Sequence, residues 1–156
     1  MNTRPWAEKY RPTKFKDIVL DENNRILLEN AIETNNFPNL LLYGPPGTGK
    51  TTTIINLIDK YQEKYGDNTI ILMEVGSFFE IYGVDNEYEK IGDLFKITSM
   101  LNILCTRRNK AILENSRKNA LMAGIPTHSI KRYLNILLEN NYTIVMIEQT
   151  SPPPMP

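Results

Sequence analysis

A chain of 156 residues has room for one ordinary domain, or for one domain and a fragment of another, and argues against two complete ones. Its 18 Lys and Arg balance 18 Asp and Glu, so no overall field draws it to nucleic acid or to a membrane surface, and any such affinity has to be local. The apolar runs are too short to span a bilayer, no leader-like segment opens the sequence, and the lone cysteine, Cys105, permits no internal disulfide. The expectation is a soluble intracellular protein without membrane contact, with Cys105 as a small core residue.

Residues 1 to 20 carry Pro5 and Pro12 among alternating charges and predict an extended arm that needs a surface to lie against. Asp21 then caps a short amphipathic helix with Ile26, Leu27, Ala31 and Ile32 on one stripe, ended by Asn35, Asn36 and Pro38. Residues 39–43, NLLLY, predict a buried strand. From Lys50 to about Tyr65 the period is helical, with Ile54, Ile55, Leu57, Ile58, Tyr61 and Tyr65 inward and Gly66 as the stop. Residues 68–75 read as a strand and residues 85–98 as a helix of moderate amphipathicity. The polar loop 106–119 holds Arg107, Arg108, Lys110, Arg117 and Lys118, and the compact LMAGIP at 121–126 reads as containing a turn. Ser129 caps a last helix with Tyr133, Leu134, Leu137 and Leu138 on one face, residues 142–149 predict a final buried strand, and 151–156 form a proline-rich tail or truncated linker. The 17 asparagines are read as a compositional bias without chemical meaning, and His128 as a turn or core residue.

Gly44, Pro45, Pro46, Gly47, Thr48, Gly49, Lys50 and Thr51 fit the phosphate-loop pattern G-x-x-x-x-G-K-[ST], with a strand predicted before and a helix after. Glycines let backbone N–H groups close around phosphate, Lys50 reaches the outer phosphates, and Thr51 ligates Mg²⁺ through the nucleotide; the implied ligands are ATP and Mg²⁺. RPWAEKYRPTKFKDIV, 4–19, together with NLLLYGPPGTGKTTTI, 39–54, resembles the N-terminus of a replication factor C small subunit, a clamp-loader ATPase of the AAA+ class, over about residues 3–58. The acidic pair, sensor, arginine motif and helical lid of that family do not follow. Glu74 in IILME is the nearest acidic candidate, so hydrolysis is not expected.

A second resemblance begins where the first ends. YQEKYGDNTIILMEVGSFFEIYG, 61–83, and MAGIPTHSIKRYLNILLENNYTIVMIEQ, 122–149, resemble the N-terminal mismatch-recognising domain of MutS. The two meet inside one helical pattern, between Thr53 and Lys60. The resulting expectation is an α/β chain with a mixed β-sheet flanked by helices, of the MutS domain I type, preceded by an incomplete P-loop AAA+ fragment: 1–58 fragment, 59–150 recognition domain, 151–156 tail. No connector, lever, clamp or ATPase domain of a full MutS follows. The fragment has no complete sheet to be buried on, so residues 1 to about 50 are expected to open more readily than 66–150.

Strand alternation sends Phe78 and Phe79 to opposite faces. The resemblance implies that Phe78 is the wedge stacking on a mispaired base and that Glu80 hydrogen-bonds that base; Ser77 and Phe79 replace the acidic residue and tyrosine usual in MutS. Read from the residues alone, the pattern favours two core rings and a solvated Glu80, the usual fate of aromatic pairs beside a strand, and it is the second motif of the resemblance that turns the balance toward the wedge. Arg107, Arg108 and Lys110 are either a solvated loop or phosphate contacts. The implied partners are double-stranded DNA with mismatches and other repair or replication subunits, and the recognition domain needs no cofactor. The alternative is an ATP-binding clamp-loader-like protein of DNA replication.

Overall fold

The computed structural model describes residues 9–34 and 50–148; the strand expected at 39–43, the phosphate-loop residues 44–49 and the tail lie outside these. In chain order the elements are α1 (Glu22–Thr34), α2 (Lys50–Tyr65), β1 (Thr69–Val75), β2 (Phe78–Asp85), β3 (Lys90–Ile91), α3 (Leu94–Leu101), β4 (Thr106–Arg107), β5 (Leu121–Pro126), α4 (Ile130–Glu139) and β6 (Thr143–Ile147). The strands form one mixed sheet in the order β4-β5-β2-β1-β6, with β3 paired on β2. β1 and β6 are parallel and the other pairs antiparallel. The chain thus has the α/β architecture, with helices on a mixed sheet, that the resemblance to MutS domain I implies.

Period-two alternation divides the core. Ile70, Leu72, Phe79, Ile81, Leu121, Ala123 and Ile125 pack with Leu94, Ile97 and Leu101 of α3 and Leu137 of α4. On the opposite face Ile71, Met73, Tyr82, Val84, Val145 and Ile147 pack with Ile54, Ile55, Leu57, Ile58 and Tyr61 of α2. Every residue of α2 from Thr52 to Ile58 is buried, because a further layer covers the helix from outside. That layer is Phe15 and Ile18 of the arm with Leu28 and Ile32 of α1. Arg11 Nη1 donates to Thr52 Oγ1 at 2.8 Å, and Lys64 Nζ reaches the carbonyls of Ile32 and Glu33 at the C-terminal end of α1. The expectation that the first segment lacks a surface to bury it is therefore corrected for residues 9–34: their surface is α2, which itself lies on the sheet.

Other expectations shift in detail. The buried stripe of α1 is Leu28, Ala31 and Ile32, while Ile26 and Leu27 are largely exposed. The helix expected over 85–98 forms only from Leu94, because Asn86 Oδ1 accepts the N–H groups of Tyr88 and Glu89 and closes a turn leading into β3. LMAGIP is strand β5 and contains no turn. β6 sits at the sheet edge and is half-exposed, not fully buried. Ser129 precedes α4 without capping it, and its hydroxyl donates back to Pro126 O.

Asparagines organise the long loop, contrary to their reading as compositional bias. Asn119 Nδ2 donates to the carbonyls of Asn109, Ile112 and Glu114, its Oδ1 accepts Asn109 N–H, and Asn115 exchanges bonds with the backbone of Asp85. Arg117 is 3% exposed and its Nε donates to Glu89 Oε2 at 2.7 Å, so this member of the basic run is an internal clip.

Candidate nucleic-acid interface

β1 and β2 are joined by a two-residue turn, Gly76-Ser77, with Val75 opposite Phe78. Gly76 has φ 61° and Ser77 has no positive φ, the pattern of a type II′ turn, which requires glycine first and matches the twist of the strands. The turn fixes which residue of β2 faces which way. Phe79 goes into the core at 4% exposure, and Phe78 stays 46% exposed on the α2 face.

On that face three rows of cross-strand neighbours run up to the hairpin. The outermost is Val75, Phe78 and Pro126; next are Ile147, Met73, Glu80 and Gly124; then Tyr82, Met122 and Thr106, with Val145 paired to Ile71 on the same face. The core on this face takes in Tyr82, Met73 and Ile147 but not Val75 or Phe78, leaving the hairpin corner open beside α2. Phe78 and Glu80, two residues apart on one strand face, lie about 7 Å from each other along the strand. Thr127 N–H donates to Ser77 O at 3.0 Å and pins the turn to the end of β5.

Glu80 is half-buried and accepts a hydrogen bond from the Tyr82 hydroxyl through Oε2. Burial, followed by the hydrogen bond to Glu80 and its negative charge, drives the Tyr82 phenol pKa far upward, while the charge of Arg108 acts weakly in the other direction. Tyr82 is therefore a permanent O–H donor at neutral pH.

The three loop cations separate. Arg108 acts electrostatically on Tyr82 and so lies toward the Glu80 side, its N–H continuing the ladder to Ala120 O. Arg107 pairs with Leu121, which faces the opposite core, and its Nε is buried without a hydrogen-bond partner. Lys110 is exposed in the loop, as is His128 in a turn before α4. Cys105 is half-buried against the α3/α4 core, and burial raises its thiol pKa. Tyr82 and Gly124 are the site residues that sequence reasoning passed over. The sequence reading predicts no strand over 78–85; in the structure β2 forms there and its alternation places Tyr82 on the face of Glu80.

Lys50 and Thr51 open α2, a 16-residue helix. Gly44, Pro45, Pro46, Gly47, Thr48 and Gly49 lie outside the described residues. Glu74 is opposite Phe79 and thus on the face away from α2, so it does not supply an acidic partner there. Among the described residues no helix is long and apolar enough to cross a membrane.

The fold is a small α/β domain with a mixed sheet flanked by helices. A family profile described as MutS domain I matches residues 56–155, and the chain belongs to that family. Among curated proteins the chain is similar to replication factor C subunits. It is 46% identical over 67 residues to replication factor C subunit 3 of Schizosaccharomyces pombe, 43% of this chain and 19% of that protein. It is 32% identical over 142 residues to replication factor C subunit 3 of Blastobotrys adeninivorans, 91% of this chain and 41% of that protein. Replication factor C subunit 4 of Arabidopsis thaliana is 48% identical over 54 residues, 35% of this chain and 16% of that protein. The chain spans between 16% and 41% of the length of these three relatives.

Proposed function

We propose that this chain is a DNA-recognition module that binds mispaired duplex DNA through its β1–β2 hairpin corner, Phe78 entering the stack and Glu80 contacting the base it displaces. The observation that carries the reading is the half-exposed Phe78 ring at the strand start, on one face with Glu80, beside a neighbour that is fully buried. An apolar wedge costs a few kcal/mol of unstacking, least where pairing is already broken, so mispaired steps are favoured. Arg108 and Lys110 supply phosphate contacts that set register without reading sequence, and Arg107, facing the other way, contributes less. Partners of this kind, DNA and other repair or replication subunits, accord with MutS domain I membership and with similarity to replication factor C subunits. The test is fluorescence anisotropy of the full chain on G·T-containing and matched duplexes at low salt. A preference for the G·T duplex that Phe78→Ala abolishes supports the reading, and equal affinity for both duplexes refutes it.

A second reading is favoured by the replication factor C similarity and by residues 44–51: an ATP-binding, clamp-loader-like protein of DNA replication. Lys50 and the N-terminal turn of α2 would hold the phosphates, and Thr51 the Mg²⁺ that neutralises them. Nucleotide binding lost in Lys50→Ala, without any mismatch preference, is the outcome that selects it.

A further inference from the structure

We infer that Tyr82 is the positioning residue for Glu80: its hydroxyl holds carboxylate Oε2 and leaves Oε1 as the acceptor for a base N–H exposed by mispairing. This rests on the interface reading above. Glu80 is a flexible side chain at a half-open corner, and an unrestrained carboxylate there would meet a base in many orientations. The Tyr82 ring is packed into the α2-side core beneath it, so the hydroxyl is a fixed point on the same strand face. Because burial and Glu80 itself keep the phenol protonated, it can donate to Glu80 at any working pH. An acceptor presented in one orientation rewards a base with an unpaired donor and leaves a paired base, whose donors are satisfied, with an unfavourable contact. The partner chemistry is thus a displaced nucleobase presenting a free N–H, such as the imino group of a mispaired thymine.

Tyr82→Phe removes the hydroxyl and keeps the ring. Anisotropy of the wild type, Tyr82→Phe, Glu80→Ala and the double variant on G·T and matched duplexes is the test, with thermal melts alongside. The expected result is a three- to tenfold loss of the mismatch ratio in Tyr82→Phe, roughly one charge-assisted hydrogen bond, with little change in melting and no additional loss in the double variant over Glu80→Ala. Without DNA, Glu80→Gln is expected to move the Cζ resonance of Tyr82 in ¹³C-tyrosine-labelled chain. A Tyr82→Phe ratio equal to wild type, while Phe78→Ala and Glu80→Ala lose theirs, overturns the positioning role and leaves the interface standing. So does an equal loss on Tyr82→Phe in the Glu80→Ala background, or an unmoved resonance. A wild type without mismatch preference overturns both.

Discussion

The ring of Phe78 lies over the backbone of Gly124: a Cβ built at Gly124 would stand 3.4 Å from Phe78 Cδ1 and 3.9 Å from its Cβ and Cγ. Gly124 is exposed on the strand beside β2 and has no positive φ, so the space above it, not backbone conformation, is what its missing side chain provides. Gly124→Ala meets the ring at ordinary contact distance and is expected to keep mismatch preference. Gly124→Val crowds it, displacing Phe78, and is expected to lower the preference toward that of Phe78→Ala. Stability should change by less than about 1 kcal/mol, since a β-branched residue suits a strand. Paired anisotropy and thermal melts separate the two effects; unaltered preference in Gly124→Val counts against the ring position as the recognition element.

The adjacent phenylalanines give opposite phenotypes. Phe79→Ala empties a site in the core shared with Leu94 and Leu137 and is expected to cost about 3–5 kcal/mol. Phe78→Ala removes a half-exposed ring and should cost well under half of that while abolishing mismatch preference. Urea unfolding of both variants, read against binding, checks the split; similar destabilisation by both would return Phe78 to the core.

Part of the hairpin was legible: the strand over 68–75 and the alternation that sends Phe78 and Phe79 to opposite faces are local signals. The second strand was not, since Phe78 is expected at the exit of the first strand and instead begins β2 after the Gly76-Ser77 turn, which puts Phe78, Glu80 and Tyr82 on one face. The helix Lys50–Tyr65 and its inner residues Ile54, Ile55, Leu57, Ile58 and Tyr61 followed equally from period and a glycine stop, whereas Tyr65, expected inward, is exposed in the last turn. What failed depended on partners distant in sequence. Leu28 is buried because α2 passes beneath it, which the stripe through Ile26 and Leu27 did not indicate. β5 reads as a turn until β2 pairs with all six of its residues. Asn119 and Arg117 carry loop-forming tendencies that acquire meaning only when Asn109 and Glu89 are brought to them.

Arg117 and Glu89 are 3% and 15% exposed, so each depends on the other for solvation lost on folding. Arg117→Met leaves Glu89 without its cation and is expected to destabilise the chain by about 3–5 kcal/mol. Adding Glu89→Gln removes the stranded charge and should recover much of the loss. Chemical denaturation of the single and double variants measures the coupling, and simple additivity would mean the pair is not a coupled unit.

Asp59 on α2 provides a pH signature. Burial raises its pKa above the ordinary 3.8, with the charge of Arg117 opposing and that of Glu63 adding. A folded state that holds the proton more tightly than the unfolded chain has a stabilising contribution below the unfolded pKa, lost as pH rises through the folded value. Asp59→Asn is therefore expected to raise the melting temperature at pH 7 relative to wild type and to narrow that gap toward pH 4. Melts across pH 4 to 7 test this; a gap that widens on acidification contradicts the assigned direction.

The final prediction concerns the N-terminal layer. Phe15, Ile18, Leu28 and Ile32 close the outer side of α2, whose inner side rests on Ile71, Met73 and Val84 of the sheet. A helix buried on both sides transmits the loss of either cover, so the arm and α1 are expected to unfold together with the sheet. Leu28 is 3% exposed, and Leu28→Ala should cost about 2–5 kcal/mol, shifting one cooperative transition rather than splitting it. Amide exchange adds a second readout: the buried turns of α1 should approach the protection of α2, because opening α1 exposes Ile54 and Ile58 as well as its own apolar face. The decisive comparison is the melt of Leu28→Ala followed by far-ultraviolet circular dichroism and by a probe near Phe79. Coincident shifts in both signals establish one unit, whereas an early loss of helix signal with the sheet transition unmoved means that α1 rests on α2 without supporting it.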